Sequence, residues 1–162
     1  CEASCVSAMT DDWPDLLNGD DKAKQVASSV VTIEELLVET TGDDGQQIAW
    51  TDLEKQVKFF GHCHQRALTG TKSSMAALNL PPNFEASEIS AGCCGMAGQL
   101  GYEYPEFSEK VAKTSFLPAL AGLEKETVLI AAGCSCRSQA AVLANRKALH
   151  PVTFLAARLL ST

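Results

Sequence analysis

With 162 residues, 46% of them hydrophobic and 20% charged, the chain has the composition of one globular domain whose core needs no disulfide staples. No apolar run reaches the roughly 18 residues of a spanning helix and no signal-peptide pattern opens it, so membrane insertion is not expected. Residues 1–54 carry 13 acidic against 2 basic side chains and residues 55–162 carry 7 against 11, within a net charge of −7, which argues against a nucleic-acid binder.

Seven cysteines are many for this length, and an odd number cannot all pair internally. A reducing, cytoplasmic setting with metal or redox use is the better reading, either free or peripheral to the inner face of the membrane. The start at Cys1 rather than methionine points to a processed product or to the tail of a larger polypeptide.

An amphipathic segment runs from Val6 to Leu17 and is closed by the turn signal Asn18-Gly19. Val26, Val30, Ile33 and Leu37 then fall at helical spacing, and Thr32 with Glu35 forms a capping box inside that run, which predicts one broken helix or two short ones. A polar loop over Thr40 to Gln46 ends this acidic helical front, residues 1–45. The remainder, 46–162, belongs to the same domain.

In that second part an apolar run is repeatedly followed by a cysteine and a helix. Val57 to Phe60 reads as a strand ending at Gly61-His62-Cys63-His64, with a helix through Leu78 stopped by Pro81-Pro82. Glu85 to Ile89 is a weaker strand leading to Cys93-Cys94. A helix over Pro105 to Leu123 follows, with a kink expected at Pro118. Thr127 to Ala132 is the clearest strand. It feeds Gly133-Cys134-Ser135-Cys136-Arg137 and a helix through Leu143, and a last helix begins at Pro151 and runs through Leu160. The expected fold is therefore α/β: a small parallel sheet flanked by helices, with right-handed crossovers.

In such a sheet the loops at the carboxyl ends of the strands share one edge, where ligands bind. Cys63, Cys93, Cys94, Cys134 and Cys136 are expected to converge there, and Cys5 joins them if a strand precedes Cys1. The glycines around Cys93-Cys94 let the backbone approach whatever the sulfurs hold. Soft thiolates select zinc, copper(I) or iron–sulfur clusters. The spacing matches neither paired C-x₂-C zinc knuckles nor the compact ferredoxin run. Catalytic disulfide chemistry at Cys134 and Cys136, with or without the Cys93-Cys94 pair, and passive buried cysteines are the alternatives.

His62, His64, Arg66 and Arg137 lie close to these cysteines in sequence, where charge or N–H donors would raise a cluster's potential and help keep the thiolates ionised. Both arginines also read as solvated first-turn helix residues, and a histidine beside a cysteine also reads as a loop cap. His64 is the better functional candidate of the two histidines, and His150, before Pro151, reads as a structural turn residue.

His-Cys-His-Gln-Arg at 62–66, Ala-Gly-Cys-Cys-Gly-Met-Ala-Gly at 91–98 with Gly101-Tyr102-Glu103, and Ala-Gly-Cys-Ser-Cys-Arg-Ser-Gln at 132–139 with His150-Pro151-Val152 resemble the cysteine-rich "CCG" domain. The likeness is to the C-terminal iron–sulfur region of FAD-linked 2-hydroxy-acid oxidoreductases, the D-lactate, glycolate and D-2-hydroxyglutarate dehydrogenase-like group. Related domains occur in heterodisulfide reductase. It covers the whole chain as one CCG-type domain, and Glu2-Ala3-Ser4-Cys5 resembles the family's acidic-Pro-Ser-Cys segment with Ala3 for proline.

The resemblance implies an electron-transfer module that is not itself catalytic toward the hydroxy acid. FAD would sit on a partner domain or subunit, and electrons would pass to a quinone or another carrier. By position, Cys63, Cys93, Cys94 and Cys136 match the family's ligands of a [4Fe-4S] centre, non-cubane in some members. Members with the full pattern end in Cys-x-x-Cys, whereas here Gly133 stands at the first of those cysteines. Cys134 substituting, Cys5 completing the shell, and a zinc-stabilised module that docks a redox partner are the resulting alternatives.

Overall fold

The computed structural model describes residues 2–41, 48–52, 55–82 and 85–160. The front is helical: α1 (Ala3–Ser7) runs through a π-helical turn (Ala8–Asp12) into α2 (Trp13–Leu16), and α3 (Asp21–Ser29) and α4 (Ile33–Thr41) follow. Asn18 and Gly19 take positive φ between α2 and α3, as the turn signal required. The capping box sets the α3–α4 break: the Thr32 N–H donates to the Glu35 carboxylate at 2.7 Å and the Glu35 N–H donates to Thr32 Oγ1 at 3.1 Å. The expected loop at Thr40 to Gln46 lies largely outside the described residues, with only Thr40 and Thr41 described, both in α4.

The sheet begins with β1 (Val57–Phe60), followed by α5 (Cys63–Leu68) and α6 (Lys72–Leu78), then β2 (Ala86–Glu88). The single helix expected here is divided around Gly70, whose φ of +77° no helix accommodates. Next come α7 (Leu100–Glu103), α8 (Pro105–Thr114), α9 (Phe116–Ala121), β3 (Val128–Ala131), α10 (Cys134–Ala144), β4 (Ala148–Leu149) and α11 (Pro151–Ala156). The kink expected at Pro118 falls instead at Ser115, between α8 and α9. A proline's ring crowds the carbonyl one turn before it, so the helix breaks there and Pro118 itself sits comfortably in the first turns of α9.

The four strands are all parallel, in the order β2-β1-β3-β4. Phe59 pairs with both Glu88 and Ile130, so β1 and β3 are the central strands. β4 was not anticipated, because two residues leave no alternation to read. α11 ends sooner than the sequence pattern implied, and Leu159 instead makes an antiparallel bridge with Trp50.

Period-two alternation in the central strands supplies two cores. Phe60, Leu129 and Ala131 face α8, α9 and α10 through Ala112, Phe116, Leu120 and Ala140. Val57, Phe59 and Ile130 face the other way, onto Ala77 and Leu78 of α6 and Phe154 and Leu155 of α11. The chain thus leaves β1 on one face and β3 on the other, and their carboxyl ends diverge around a crevice of the kind that holds ligands in open α/β sheets. No described helix is long and apolar enough to cross a membrane.

Candidate functional site

Three strand ends meet at this crevice. Beyond β1 the chain passes Gly61 and His62 and starts α5 at Cys63. Beyond β2 it forms the Ala91 to Gly98 loop, and beyond β3 it starts α10 after Gly133, with Cys136 in the first turn. Four sulfurs follow one another at hydrogen-bonding range: Cys63 with Cys93, Cys93 with Cys94, and Cys94 with Cys136. Cys94 and Cys136 are buried and Cys63 and Cys93 partly so. All six described cysteines are free thiols. Cys5 and Cys134 are exposed and take no part in these contacts. Among the described residues no three His, Cys, Asp or Glu side chains are grouped to hold a single metal ion. The sulfurs are instead linked pairwise, each to the next.

Cys63, Cys93 and Cys94 are held protonated. Burial, followed by the neighbouring Cys93, pushes Cys63 up; the hydrogen bond with Cys94, then burial, pushes Cys93 up further, against the opposing pull of the Gly95 N–H. Cys94 is pushed up to about 12, chiefly by its hydrogen bond with Cys136. Unfolded thiols ionise near pH 8.5, roughly, so in metal-free protein the stability tied to these protons is complete below that pH. It is lost as the pH rises toward the folded values. Urea midpoints of the metal-free chain should therefore fall steadily between about pH 8 and pH 11; a flat profile would mean that the folded thiols ionise as freely as the unfolded ones.

The loop that carries Cys93 and Cys94 is fastened from three sides. Arg66, one turn after Cys63, lies over the Phe60 ring and donates through Nη1 to the Ala91 carbonyl and through Nη2 to that of Gly92, the latter at 3.0 Å. The Gly92 N–H donates to Ser115 Oγ at 2.7 Å. Gln139 of α10, buried, donates from Nε2 to the Cys94 carbonyl at 3.0 Å and to Ser108 Oγ at 2.7 Å. Gly95 has φ +90°, and a Cβ there would overlap the Ser108 carbonyl oxygen, so α8 can approach only a glycine. Its N–H donates to Cys93 Sγ at 3.3 Å.

Arg137 performs a similar task beyond β3. Its Nη1 donates to the Ala131 and Ala132 carbonyls at 2.9 Å, and its Nη2 lies 3.4 Å from Glu2, whose other carboxylate oxygen accepts from the Cys134 N–H at 2.6 Å. The hydrogen bonds of both arginine guanidinium groups thus go to backbone carbonyls and to Glu2 rather than to sulfur. Arg66 Nε is buried with no partner among the described residues, which leaves one N–H beside the Cys63 turn and the Cys93 loop.

His62 is the buried histidine of the pair and His64 the exposed one. His62 Nδ1 accepts from the His64 N–H at 3.3 Å, capping α5, so the ring's own hydrogen sits on Nε2. Burial, then His64, lowers its pKa and keeps it neutral. A Cβ on Gly133 would overlap the His62 ring and meet Cys136 Sγ at 3.1 Å. The ring fills the room that a side chain at 133 would take. His150 is a cap, as expected, its Nδ1 accepting from the Val152 N–H at 3.2 Å.

Gln139, Ser108 and Ser115 were not anticipated as parts of the site, because no sequence period marks which polar residue will be buried against a loop. Replacing Gln139 with leucine removes both donors and strands the Cys94 carbonyl and Ser108 Oγ in the core. A destabilisation of about 1–3 kcal/mol is expected in chemical denaturation; a change below about 0.5 kcal/mol would show that the glutamine fastens nothing.

Fold and site together define an all-parallel α/β domain that gathers four cysteine sulfurs at the carboxyl edge of its sheet. No family model and no solved structure matches the chain. The curated relatives it matches are named as a dehydrogenase and a dehydrogenase subunit. Over 100 residues it is 37% identical to D-2-hydroxyglutarate dehydrogenase of Escherichia coli strain K12, a match covering 60% of this chain and 10% of that protein. The same enzyme of Pantoea ananatis is 35% identical over 99 residues, again covering 10% of the relative. One subunit of the anaerobic glycerol-3-phosphate dehydrogenase of Escherichia coli strain K12 is 24% identical over 156 residues, a match covering 95% of this chain and 38% of that relative. The chain thus spans about a tenth of the D-2-hydroxyglutarate dehydrogenases and well under half of the glycerol-3-phosphate dehydrogenase polypeptide.

Proposed function

We propose that this chain is an iron–sulfur cluster-binding electron-transfer domain of the CCG type, serving an FAD-linked 2-hydroxy-acid dehydrogenase. The observation that carries the reading is the series of four sulfurs drawn from three strand ends. A single ion wants its ligands around one point, whereas a polynuclear cluster takes each thiolate on a different iron and so can draw its four sulfurs from separate strand ends. The adjacency of Cys93 and Cys94 fits the same need, since one turn can then reach two neighbouring irons. Cys63, Cys93, Cys94 and Cys136 are the proposed ligands.

Bound there, a [4Fe-4S] cluster would supply one-electron transfer between a partner's flavin and a quinone or another carrier. The chain's own residues prepare the place. Arg66, Ser115 and Gln139 hold the Cys93-Cys94 loop at its backbone, so the sulfurs are positioned before any metal arrives. The Gly95 N–H already donates to Cys93 Sγ, and such bonds to sulfur raise a cluster's potential. Neutral His62, with Nδ1 occupied by the α5 cap, offers an N–H rather than a lone pair. The four thiols must release their protons on loading, so uptake should quicken with rising pH.

Anaerobic reconstitution followed by iron and acid-labile sulfide analysis and EPR tests the proposal. Iron and sulfide in equal amounts with brown absorption are expected; stoichiometric zinc in a colourless protein, without sulfide, would sink it.

A further inference from the structure

The front of the chain carries a feature that the cysteine site does not use. From Ala8 to Ser29 the π-helical turn, α2 and α3 pack mainly on α1 and on one another. Ala23 is the one buried residue among them. Trp13, Leu16, Leu17 and Val26 are 46, 76, 56 and 46% exposed on this arm. Trp13, Leu16 and Leu17 are spaced to share one helical stripe, the pattern of a helix that buries an apolar face, yet none of the described residues covers it. Asp11, Asp12, Asp15, Asp20 and Asp21, all exposed, border the stripe, against Lys22 and Lys24 alone. One of those lysines lies only 3.8 Å from Asp21.

The charge selects the occupant. Phosphate-bearing surfaces, whether nucleic acid or anionic lipid, are repelled by five carboxylates, whereas a lysine- and arginine-rich protein face is attracted and oriented by them. The arm is also placed for a redox partner. α1, from which it springs, packs against α5, the helix that begins at Cys63, and Glu2 at the head of α1 is tied to Arg137 and the Cys134 N–H. We infer that the arm Ala8–Ser29 is the docking surface for a basic face of the flavin-bearing dehydrogenase domain, an assignment of partner that rests on the electron-transfer reading above.

Zero-length carbodiimide cross-linking of the native protein, as made in its own cells with its partner domains or subunits, tests this. Cross-links from Asp11, Asp12 and Asp15 to lysines of a flavin-containing segment are expected, and about 1 M salt should remove most of them. Leu16→Ser and Trp13→Ala leave every carboxylate in place, so a cross-link yield lowered about fivefold or more in either variant reports lost docking rather than lost chemistry. Both positions are exposed, and unchanged circular dichroism would confirm folding. A flavin-containing segment cross-linked elsewhere, with the arm silent or indifferent to the two variants, overturns the docking surface and leaves the electron-transfer reading standing. Salt-sensitive cross-links from the arm to a partner without flavin keep the docking surface and overturn the flavin assignment.

Discussion

Cys94→Ala is expected to abolish cluster loading, with iron and sulfide per chain falling tenfold or more, roughly, against the parent reconstituted in parallel. Cys94 touches sulfur on both sides, Cys93 and Cys136, so its removal divides the series into Cys63-Cys93 on one side and Cys136 alone on the other. The three thiolates left, Cys63, Cys93 and Cys136, no longer supply one sulfur to each iron of a four-iron cluster. The variant should still fold, because cysteine packs as a small apolar residue and alanine vacates only the sulfur's space. Cys134→Ser is the matched comparison: its sulfur is exposed and outside the series, so loading should match the parent. Equal losses from both variants would mean that Cys134 is a ligand and that the first turn of α10 rearranges on loading.

Gly95→Ala should cost about 3 kcal/mol and lower the thermal midpoint by roughly 10 °C. Two penalties coincide at this residue: φ is +90°, a conformation alanine avoids, and the new methyl would overlap the Ser108 carbonyl oxygen of α8. Relief requires α8 to move, and α8 carries Ala112 into the core beside Phe116 and Leu120. Gly98→Ala separates the two causes. Gly98 has φ +63° but nothing within 4 Å of where its Cβ would stand, so only the backbone term applies and about 1 kcal/mol is expected. If the two variants lose equal stability, close packing of α8 on the loop is not what requires glycine at 95.

The class of fold was readable because it rests on local periods. The runs Val57 to Phe60 and Val128 to Ala131 are short, apolar and β-rich, and helical spacing fills the chain between them. The ends of the helices were read less well. Gly70 and Pro118 both signal interruption, but where a helix breaks depends on which carbonyl loses its partner, and Ser115 rather than Pro118 is the answer here. The cysteine convergence was foreseeable from topology, as every cluster but Cys5 follows a strand. Its membership was not. Cys134 and Cys136 are two residues apart on a helix and therefore point to different sides, so only one of them can face Cys94.

Histidine and arginine roles divided along the same line. His64 and His62 flank Cys63 symmetrically in the sequence, and nothing local says that the helix beginning at Cys63 will turn His64 outward and leave His62 as the cap. Arg66 and Arg137 were read as charges beside the cysteines from their nearness along the chain. In space their guanidinium groups are within reach of open backbone carbonyls, and those bonds hold the loops.

Residue chemistry and spacing alone were enough for the parallel α/β class, the capping box at Thr32, the turn at Asn18-Gly19 and the gathering of cysteines at one sheet edge, since each follows from interactions within a few residues or from a rule of topology. The order of the sulfurs, the exposure of Cys5 and Cys134, the clamps made by Gln139 and Arg66, and the bare apolar stripe on the acidic arm came only with packing. All of these depend on which side chains meet across distant segments, and long-range contact leaves no period in the sequence to read.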